Sequence, residues 1–440
     1  MKKKPFTIQK LGTPYIHSPI ALSKERGKSV FTFVNDDTRV LLDISLSHFL
    51  EHVQDGSLPL SAEKAGPREH LFFDPKKTRA AIVTCGGLCP GINNVIRSLV
   101  MGLHYFYGVT DILGVRYGYE GLIAAHGHDF VTLTPQSVEG IHELGGTVLG
   151  SSRGAQDVAE MVDRLEGEKI DILFAVGGDG TLKGVDALGE EIEKRGLQIG
   201  LVGIPKTIDN DINLIDRSFG FETAFNVASP IIRDAHNEAT GVYNGIAIVK
   251  LMGRDSGFIA ASAALSRPVV NFVLVPEMVF ALEGKNGLLN TLEKRLKDRH
   301  HAVIVVAEGA GQQLFKDDGA PVKDASGNIK HKDIGLFLKK KIEEHFNSDG
   351  VEVTIKYIDP SYIIRNAPAN TNDSVLCNML AHQAVHGAMA GKTRCVVGLL
   401  NNNFVYLPIA SVVDKRKKID LEGEFWFGVL QSTGQPFLIH

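Results

Sequence analysis

Residues 203–211 read Gly-Ile-Pro-Lys-Thr-Ile-Asp-Asn-Asp and follow a hydrophobic run. Lys206, Thr207, Asp209 and Asp211 crowd a cation, a hydroxyl and two carboxylates onto the end of a strand-like segment. A buried strand end tolerates such charge when ligands neutralise it. The chemistry within reach is proton abstraction by a carboxylate beside groups that hold an anion. A plainer reading stands next to it: Thr, Asp and Asn all make good helix caps and turns, so the stretch could be a polar capping loop.

Two glycine-rich turns suggest where an anion would sit. Gly86-Gly87-Leu88-Cys89-Pro90-Gly91-Ile92-Asn93-Asn94 lies between an apolar run and an amphipathic stretch. Its glycines let the backbone approach a ligand, and the following helix offers unpaired N–H groups to a phosphate; close helix–strand packing is the structural alternative. Gly177-Gly178-Asp179-Gly180-Thr181 adds a carboxylate suited to Mg²⁺, held directly or through waters, against the alternative of an ordinary Asp-Gly turn. Arg153, Arg254, Lys356 and Arg365 each follow or flank turn residues and suit phosphate capture or, equally, a structural salt bridge. Gly391-Lys392-Thr393 ends like a P-loop, but the glycine spacing and the order helix, turn, strand are wrong for one. Lys392 is therefore expected to be an exposed residue of a tight turn.

The elements that must position these residues are short apolar runs ending in glycine or charge, each followed by helical periodicity, from residue 79 onward. Runs at 80–84, 170–176 and 199–204 predict three strands of one parallel sheet; runs at 245–249, 272–275 and 301–307 predict a second set. In such sheets ligands bind beyond the carboxyl ends of the strands. Helices are expected over 288–297 and 335–346, the latter with Lys339, Lys340 and Lys341 on a solvated face. Surface turns at 317–319 and 326–328 bracket a hairpin, and 30–34 with 39–44 form another around Asn35-Asp36-Asp37. The expected fold is α/β: two Rossmann-like αβα lobes with mainly parallel sheets and a cleft between them. The expected organisation is an N-terminal extension over 1–76, a phosphate-donor lobe over 77–221 rejoined by 364–411, a second lobe over 222–363, and a tail over 412–440 packing on the lobes.

Composition bounds the class. The chain has 440 residues, 44% hydrophobic, and a formal net charge of −4, so no global basic field points to nucleic acid or a membrane surface. Its four cysteines are too few and scattered for a disulfide framework and are read as reduced and semi-buried. No signal core or run of 18 apolar residues is visible, which predicts a cytoplasmic protein.

Taken together, the turns resemble those of the phosphofructokinases: Gly-Gly-x-x-Pro-Gly-x-Asn at 86–93, Gly-Thr-x-Leu-Gly-Ser-x-Arg at 146–153, Gly-Gly-Asp-Gly-Thr at 177–181, Pro-Lys-Thr-Ile-Asp-Asn-Asp at 205–211, Met-Gly-Arg at 252–254, Pro-Glu at 276–277 and Ser-Tyr-Ile-Ile-Arg at 361–365. The resemblance covers about 79–410. It implies a glycolytic, allosteric homodimer or homotetramer that transfers the γ-phosphoryl group of ATP to the 1-hydroxyl of fructose 6-phosphate. Asp209 would be the general base, with Thr207, Lys206 and Arg254 around the transferring group and Asp179 associated with Mg²⁺. Gly87, Arg153, Gly178, Gly180 and Thr181 would line the donor site. Asp211, Met252, Gly253, Glu277, Lys356, Tyr362 and Arg365 would serve the sugar phosphate, together with Thr207, Asp209 and Arg254.

Departures from the family pattern decide the donor. Lys206 is the residue usual in pyrophosphate-dependent members, whereas Gly180 stands where those members usually carry an aspartate that would crowd and repel the α-phosphate of ATP. The combination resembles a group of longer ATP-dependent enzymes that includes trypanosomal ones. ATP is thus the expected donor, with pyrophosphate the alternative. Gly245 and Lys356 replace arginines of the sugar-phosphate site, the first of them reaching from a neighbouring subunit. At the bacterial effector site Arg97 is kept, but Met101 replaces a basic residue one turn later. NAD kinases and lipid kinases share only the Gly-Gly-Asp-Gly-Thr turn, and a non-catalytic regulatory subunit would be expected to lack Asp209 or Asp179.

Overall fold

A computed structural model describes residues 6–25, 27–28, 31–315 and 329–436; the expected hairpin at 317–328 lies outside them. The chain forms two compact units. One holds the described residues up to Thr207, Ile212–Gly220 and Pro368–Lys415; the other holds Ile208–Asp211, Phe221–Ala367 and the described residues from Arg416.

In the first unit the strands Arg79–Thr84, Ile172–Gly177, Gly200–Pro205 and Cys395–Leu400 are almost wholly buried. They read as continuous apolar runs because both faces of the sheet are covered. Among the described residues the sheet has nine strands, ordered Arg39–Leu41, Ser61–Lys64, Asn403–Pro408, Cys395–Leu400, Gly200–Pro205, Ile172–Gly177, Arg79–Thr84, Asp111–Val115 and Val131–Thr132. The five strands from Cys395–Leu400 to Asp111–Val115 are parallel, and the others add antiparallel edges. Alternate residues, including Ala81, Val83, Leu173, Ala175 and Leu201, form one core with Met161, Val162 and Leu165 of the helix Val158–Gly167 and Leu182, Val185 and Leu188 of Asp179–Lys194. The residues between them, such as Ile82, Phe174 and Val202, are as deeply buried on the opposite face. After Arg79–Thr84 the chain steps outward to Asp111–Val115, then returns to place Ile172–Gly177 on the other side. The carboxyl ends of Arg79–Thr84 and Ile172–Gly177 therefore flank a topological switch point, where open α/β sheets hold ligands.

The second unit has four parallel strands in the order Phe272–Leu274, His301–Ala307, Gly245–Leu251 and Thr354–Ile358. Helices Leu288–Arg299 and Ile334–Ser348 match the expected periods. Asp333 caps the second, its side chain accepting from the Leu336 amide at 3.0 Å. The helix Glu424–Thr433 belongs to this unit and packs on Phe258–Leu265, with the Phe425 ring 6.0 Å from that of Phe258; its Trp426 is 2% exposed.

Three expectations near the first sheet differ from the structure. Residues 39–41 pair with Ser61–Lys64 rather than with 30–34, and among the described residues Thr32 instead bridges Ser23. The segment expected as an extension thus contributes the sheet edge next to Asn403–Pro408, covering ladder groups that would otherwise be open. Lys392 also differs from expectation: it is not exposed but buried, with 1% exposure. Gly391, at φ +76°, makes the expected tight turn, yet the lysine points inward. Its Nζ lies 2.5 Å from Glu63 Oε1 and 2.9 Å from Asp36 Oδ1. Arg68 holds the same two carboxylates, each at 2.7 Å, and the Tyr406 ring lies under both cations. Asp36 is thereby drawn into an ion network instead of serving a hairpin turn. Although Asp36 is partly desolvated, Lys10, Lys392 and Arg68 hold its carboxyl far below the usual range. The four cysteines are free and fully buried rather than semi-buried. A buried ion pair is costly to break from one side because a charge is left uncompensated. Lys392→Met should destabilise the protein by about 3 kcal/mol, measured by urea unfolding, and Lys392→Met with Glu63→Gln should cost less than the two single changes summed.

Candidate active site

In the first unit, the turn after Arg79–Thr84 and the turn after Ile172–Gly177 are tied to each other and to their neighbours by main-chain bonds. The Cys85 amide donates to the Val176 carbonyl at 3.0 Å, and the Gly86 amide to Ser152 at 3.1 Å. Gly86 has φ +86°, a left-handed backbone that glycine adopts without strain. Ser151 Oγ donates to the Gly86 carbonyl at 2.7 Å, which draws the Gly150–Arg153 segment alongside. Arg153 itself is exposed. Lys206, 5% exposed, donates its amide to the Gly177 carbonyl at 3.0 Å and its Nζ to the Gly87 carbonyl at 2.7 Å. The lysine therefore clamps the two glycine turns together. Ser218 Oγ donates to the Thr207 carbonyl at 2.8 Å and holds the end of the strand.

The helix Asp179–Lys194 begins inside the second turn, with Gly178 at its N-cap and no side-chain cap. A helix N-terminus carries partial positive charge, which suits an anion placed against it. Asp179 is mostly covered and ion-paired with Lys183 at 2.9 Å. Thr181 is buried, its carbonyl accepting from Tyr119 at 2.7 Å. A Cβ on Gly180 would meet nothing within 4 Å, so this position opens outward.

The second unit contains the acidic half of the opening motif. Asn210 adopts φ +53°, a conformation Asn tolerates better than most residues. Arg416 Nη1 bridges Asp211 Oδ2 at 2.9 Å and Asp255 Oδ2 at 2.7 Å. Ser256, fully buried, donates its hydroxyl to the Asp209 carbonyl at 2.9 Å. Burial, then the charges of Asp211 and Glu308, push the Asp209 carboxyl well above the usual range; Arg416 opposes this and Asp255 adds to it. Glu308 follows the strand His301–Ala307 and is itself pushed up by burial, with Arg254, His331 and Lys250 opposing.

Met252, Gly253 and Arg254 leave the carboxyl end of Gly245–Leu251. Gly253 and Gly309 pass too closely for side chains: a Cβ on Gly309 would lie 1.8 Å from the Arg254 carbonyl, and the Gly309 amide donates to Gly253 at 3.1 Å. Arg254 Nη1 donates to the Ile329 carbonyl at 3.1 Å. Glu277 accepts from the Gly257 amide with both oxygens at 3.1 Å and from Ile419 at 2.9 Å. Burial nevertheless raises its carboxyl above the ordinary value. Lys250, one residue from the strand end, pairs with Asp333 at 2.7 Å and Asp359 at 2.9 Å, fixing the neighbouring strand's exit. Beyond it, the Arg365 guanidinium stacks over the Tyr362 ring at 4.8 Å and has no carboxylate partner among the described residues. Lys356 is exposed, with Glu238 at 3.9 Å.

The structure therefore groups the expected residues by unit: Gly87, Arg153, Gly178, Asp179, Gly180, Thr181, Lys206 and Thr207 in the first; Asp209, Asp211, Met252, Gly253, Arg254, Glu277, Lys356, Tyr362 and Arg365 in the second. Sequence reasoning missed Arg416, Asp255 and Glu308. Two signals were available, since Asp255 directly follows Arg254 and Glu308 ends an apolar run; Arg416 sits in a basic run that reads as solvated. Gly245 is buried at its strand start, and a Cβ there would lie 2.1 Å from the Ala239 carbonyl, so no side chain can project from it without local movement.

This combination of sheets and loaded strand ends has close counterparts. A profile of the phosphofructokinase family matches residues 79–388, and the chain belongs to that family. An ATP-dependent 6-phosphofructokinase of Borreliella burgdorferi is 49% identical over 438 residues, covering 98% of this chain and 97% of that protein. One from Amycolatopsis methanolica is 47% identical over 434 residues, covering 98% and 94%. Among solved structures, a pyrophosphate-dependent phosphofructokinase from Marinobacter aquaeolei superposes with a TM-score of 0.66 over 81% of this chain and 91% of its own; at 18% identity it shows the shared fold.

The raised Asp209 carboxyl carries a stability consequence. Between the unfolded-state pKa and its higher folded-state value, the native protein keeps a proton that the unfolded chain releases, so this group lowers stability as pH rises. Asp209→Asn removes that penalty. Its thermal midpoint should exceed that of the parent at pH 8, and the difference should shrink toward pH 4, as followed by calorimetry.

Proposed function

We propose that this chain transfers the γ-phosphoryl group of ATP to the 1-hydroxyl of fructose 6-phosphate, forming fructose 1,6-bisphosphate and ADP. The observation that carries the reading is the Asp209 carboxyl, given high proton affinity by burial and by Asp211, Glu308 and Asp255, on a loop fixed by Ser256 and Arg416. Phosphoryl transfer needs a base that takes the hydroxyl proton as that oxygen attacks, together with charges that steady the transferring group. Asp209 is the base. Arg254 counters the charge developing on the equatorial oxygens, and Thr207, separated from Asp209 by Ile208 alone, contacts the same group. Asp211 orients the loop through its ion pair with Arg416.

The first unit supplies the donor site. Gly87, Gly178, Gly180, Thr181 and Arg153 line it, with the uncapped start of Asp179–Lys194 offering N–H groups to phosphate oxygens. Asp179 suits Mg²⁺, which is commonly held by one or two carboxylates while phosphates and waters complete its shell. When bound, the ion would neutralise charge on the β- and γ-oxygens. In the second unit, Met252 and Gly253 line the sugar pocket, and Glu277 accepts sugar hydroxyls on lone pairs left by Gly257 and Ile419. Arg365, stacked on Tyr362 and without a carboxylate partner among the described residues, holds the 6-phosphate with Lys356.

Two observations favour ATP over pyrophosphate. The Gly180 position is open, as a nucleotide's α-phosphate would require. Lys206, the residue that argues for pyrophosphate, has a structural task in binding the Gly87 carbonyl. Relatives named as ATP-dependent, matched over nearly their full length, support the same choice. Assembly as a homodimer or homotetramer is part of the proposal, and the outward apolar residues Leu46, Leu50 and Val53 of the helix Leu46–Gln54 support it. A cytoplasmic location is likewise proposed; among the described residues no helix is long and apolar enough to cross a membrane.

Purified protein given fructose 6-phosphate and Mg²⁺ should form the bisphosphate with ATP and not with pyrophosphate; the reverse would overturn the donor assignment. Gly180→Asp should abolish ATP use while leaving sugar-phosphate affinity intact in a binding titration. Asp209→Ala should lower kcat by at least about 10²-fold with little change in nucleotide affinity.

A further inference from the structure

Residues 416–419 are assigned no contact with substrate above, yet within four residues they touch two of the groups that are. Arg416 Nη1 bridges Asp211 and Asp255. The Lys417 amide donates to the Asp211 carbonyl at 2.8 Å, and the Ile419 amide donates to Glu277 Oε1 at 2.9 Å. Lys417 Nζ also lies over the Phe258 ring, 5.2 Å from its centroid, which anchors the segment between these points.

We propose that this C-terminal segment is a positioning strap for the reaction, with Arg416 the residue that sets the shape and charge of the Asp209 loop. The inference rests on the phosphoryl-transfer reading for its consequence in turnover. Its structural basis is a pair of adjacent rungs. Asp255 and Ser256 are consecutive; the first reaches Asp211 through Arg416, and the second holds the Asp209 carbonyl directly. Without Arg416 the first rung becomes two carboxylates facing each other, and like charges push apart. The loop would keep its bonds to Ser256 and the Lys417 amide but lose the charge that draws Asp211 toward Asp255, and the aim of the base would loosen.

Arg416 acts through Asp211 and Asp255 and is therefore a positioning residue. The charged groups around Asp209 are Asp211 on its own loop, Asp255 after the strand Gly245–Leu251, Glu308 after His301–Ala307, and Arg416 from the strap, with Arg254 opposing at Glu308. Removing a cation from this set strengthens proton binding by the base. The strap also joins that base to Glu277, so one segment governs both the proton acceptor and a group assigned to the sugar.

The test compares full-length Arg416→Met and Arg416→Lys with the parent. In steady-state assays across pH with ATP and fructose 6-phosphate, Arg416→Met should lower kcat by about 10- to 100-fold, leave KM for ATP within about twofold, and displace the acidic limb of the kcat profile to higher pH. Arg416→Lys should recover much of both effects. A loss that merely follows the folded fraction, with the acidic limb unmoved, would overturn the proposal. A second measurement is independent of turnover: thermal midpoints at pH 8 for Arg416→Met, Asp209→Asn and the double variant. The arginine change should cost less in the Asp209→Asn background, where there is one carboxylate fewer to balance; additivity would also overturn the strap. Should the parent turn over neither donor, the proposed function fails, while the cycle still decides the strap.

Discussion

Asp209 is held where its ionised form is disfavoured, first by burial and then by the charges of Asp211, Glu308 and Asp255, with Arg416 opposing them. Such a site cannot assemble by local preference, because its carboxylates repel one another and each group must be brought in by a separate element. The loop brings Asp211, the turn after Gly245–Leu251 brings Asp255, the next strand brings Glu308, and the C-terminal segment brings the arginine. The rigid parallel ladder of the second unit makes this possible: three of these pieces hang on strand ends or turns whose spacing the sheet sets. The same arrangement that stores repulsion in the resting protein raises the proton affinity of Asp209, which in the role proposed for it trades stability for activity.

A complementary device operates in the first unit, where close approach replaces charge. Gly86 needs a left-handed backbone, Gly177 leaves no room for a side chain against Thr181, and Lys206 sews the two turns by one ammonium–carbonyl bond. This changes the meaning of the lysine. Read alone, it marks a choice between phosphoryl donors; within the fold, it is the clamp that keeps two glycine-rich turns in register, a duty that does not depend on the donor.

Much of this was legible in the sequence. Buried parallel strands announce themselves as apolar runs, and they end in glycines and charges because ligand groups collect there, so the strands near residues 80, 172, 200, 245, 272 and 301 could be placed within about two residues, the usual uncertainty of element boundaries. What escaped depended on partners remote along the chain. Lys392 sits in a turn of the expected kind, but its burial requires Glu63 and Asp36 from the other end of the sequence. The Asn35–Asp37 turn looked like a hairpin because local signals cannot show that Asp36 is claimed by two buried cations. Arg416 was not singled out because nothing local distinguishes it from Lys415, Lys417 and Lys418, and only the fold shows that it bridges Asp211 and Asp255.

The edge of the first sheet has a consequence for how the chain is made. Ser61–Lys64 joins the sheet through Asn403–Pro408, with Glu63 opposite Tyr406. When the edge leaves the ribosome, the strand that will receive it is roughly 340 residues from being translated, a wait of about 17–70 s at ordinary bacterial speeds. Glu63 and Arg68, sealed inside the folded protein, meet Lys392 and Tyr406 only after that interval. The edge can therefore close only late, and a chain cut short before residue 392 would lack both the strand Asn403–Pro408 that pairs with Ser61–Lys64 and the lysine that holds Glu63.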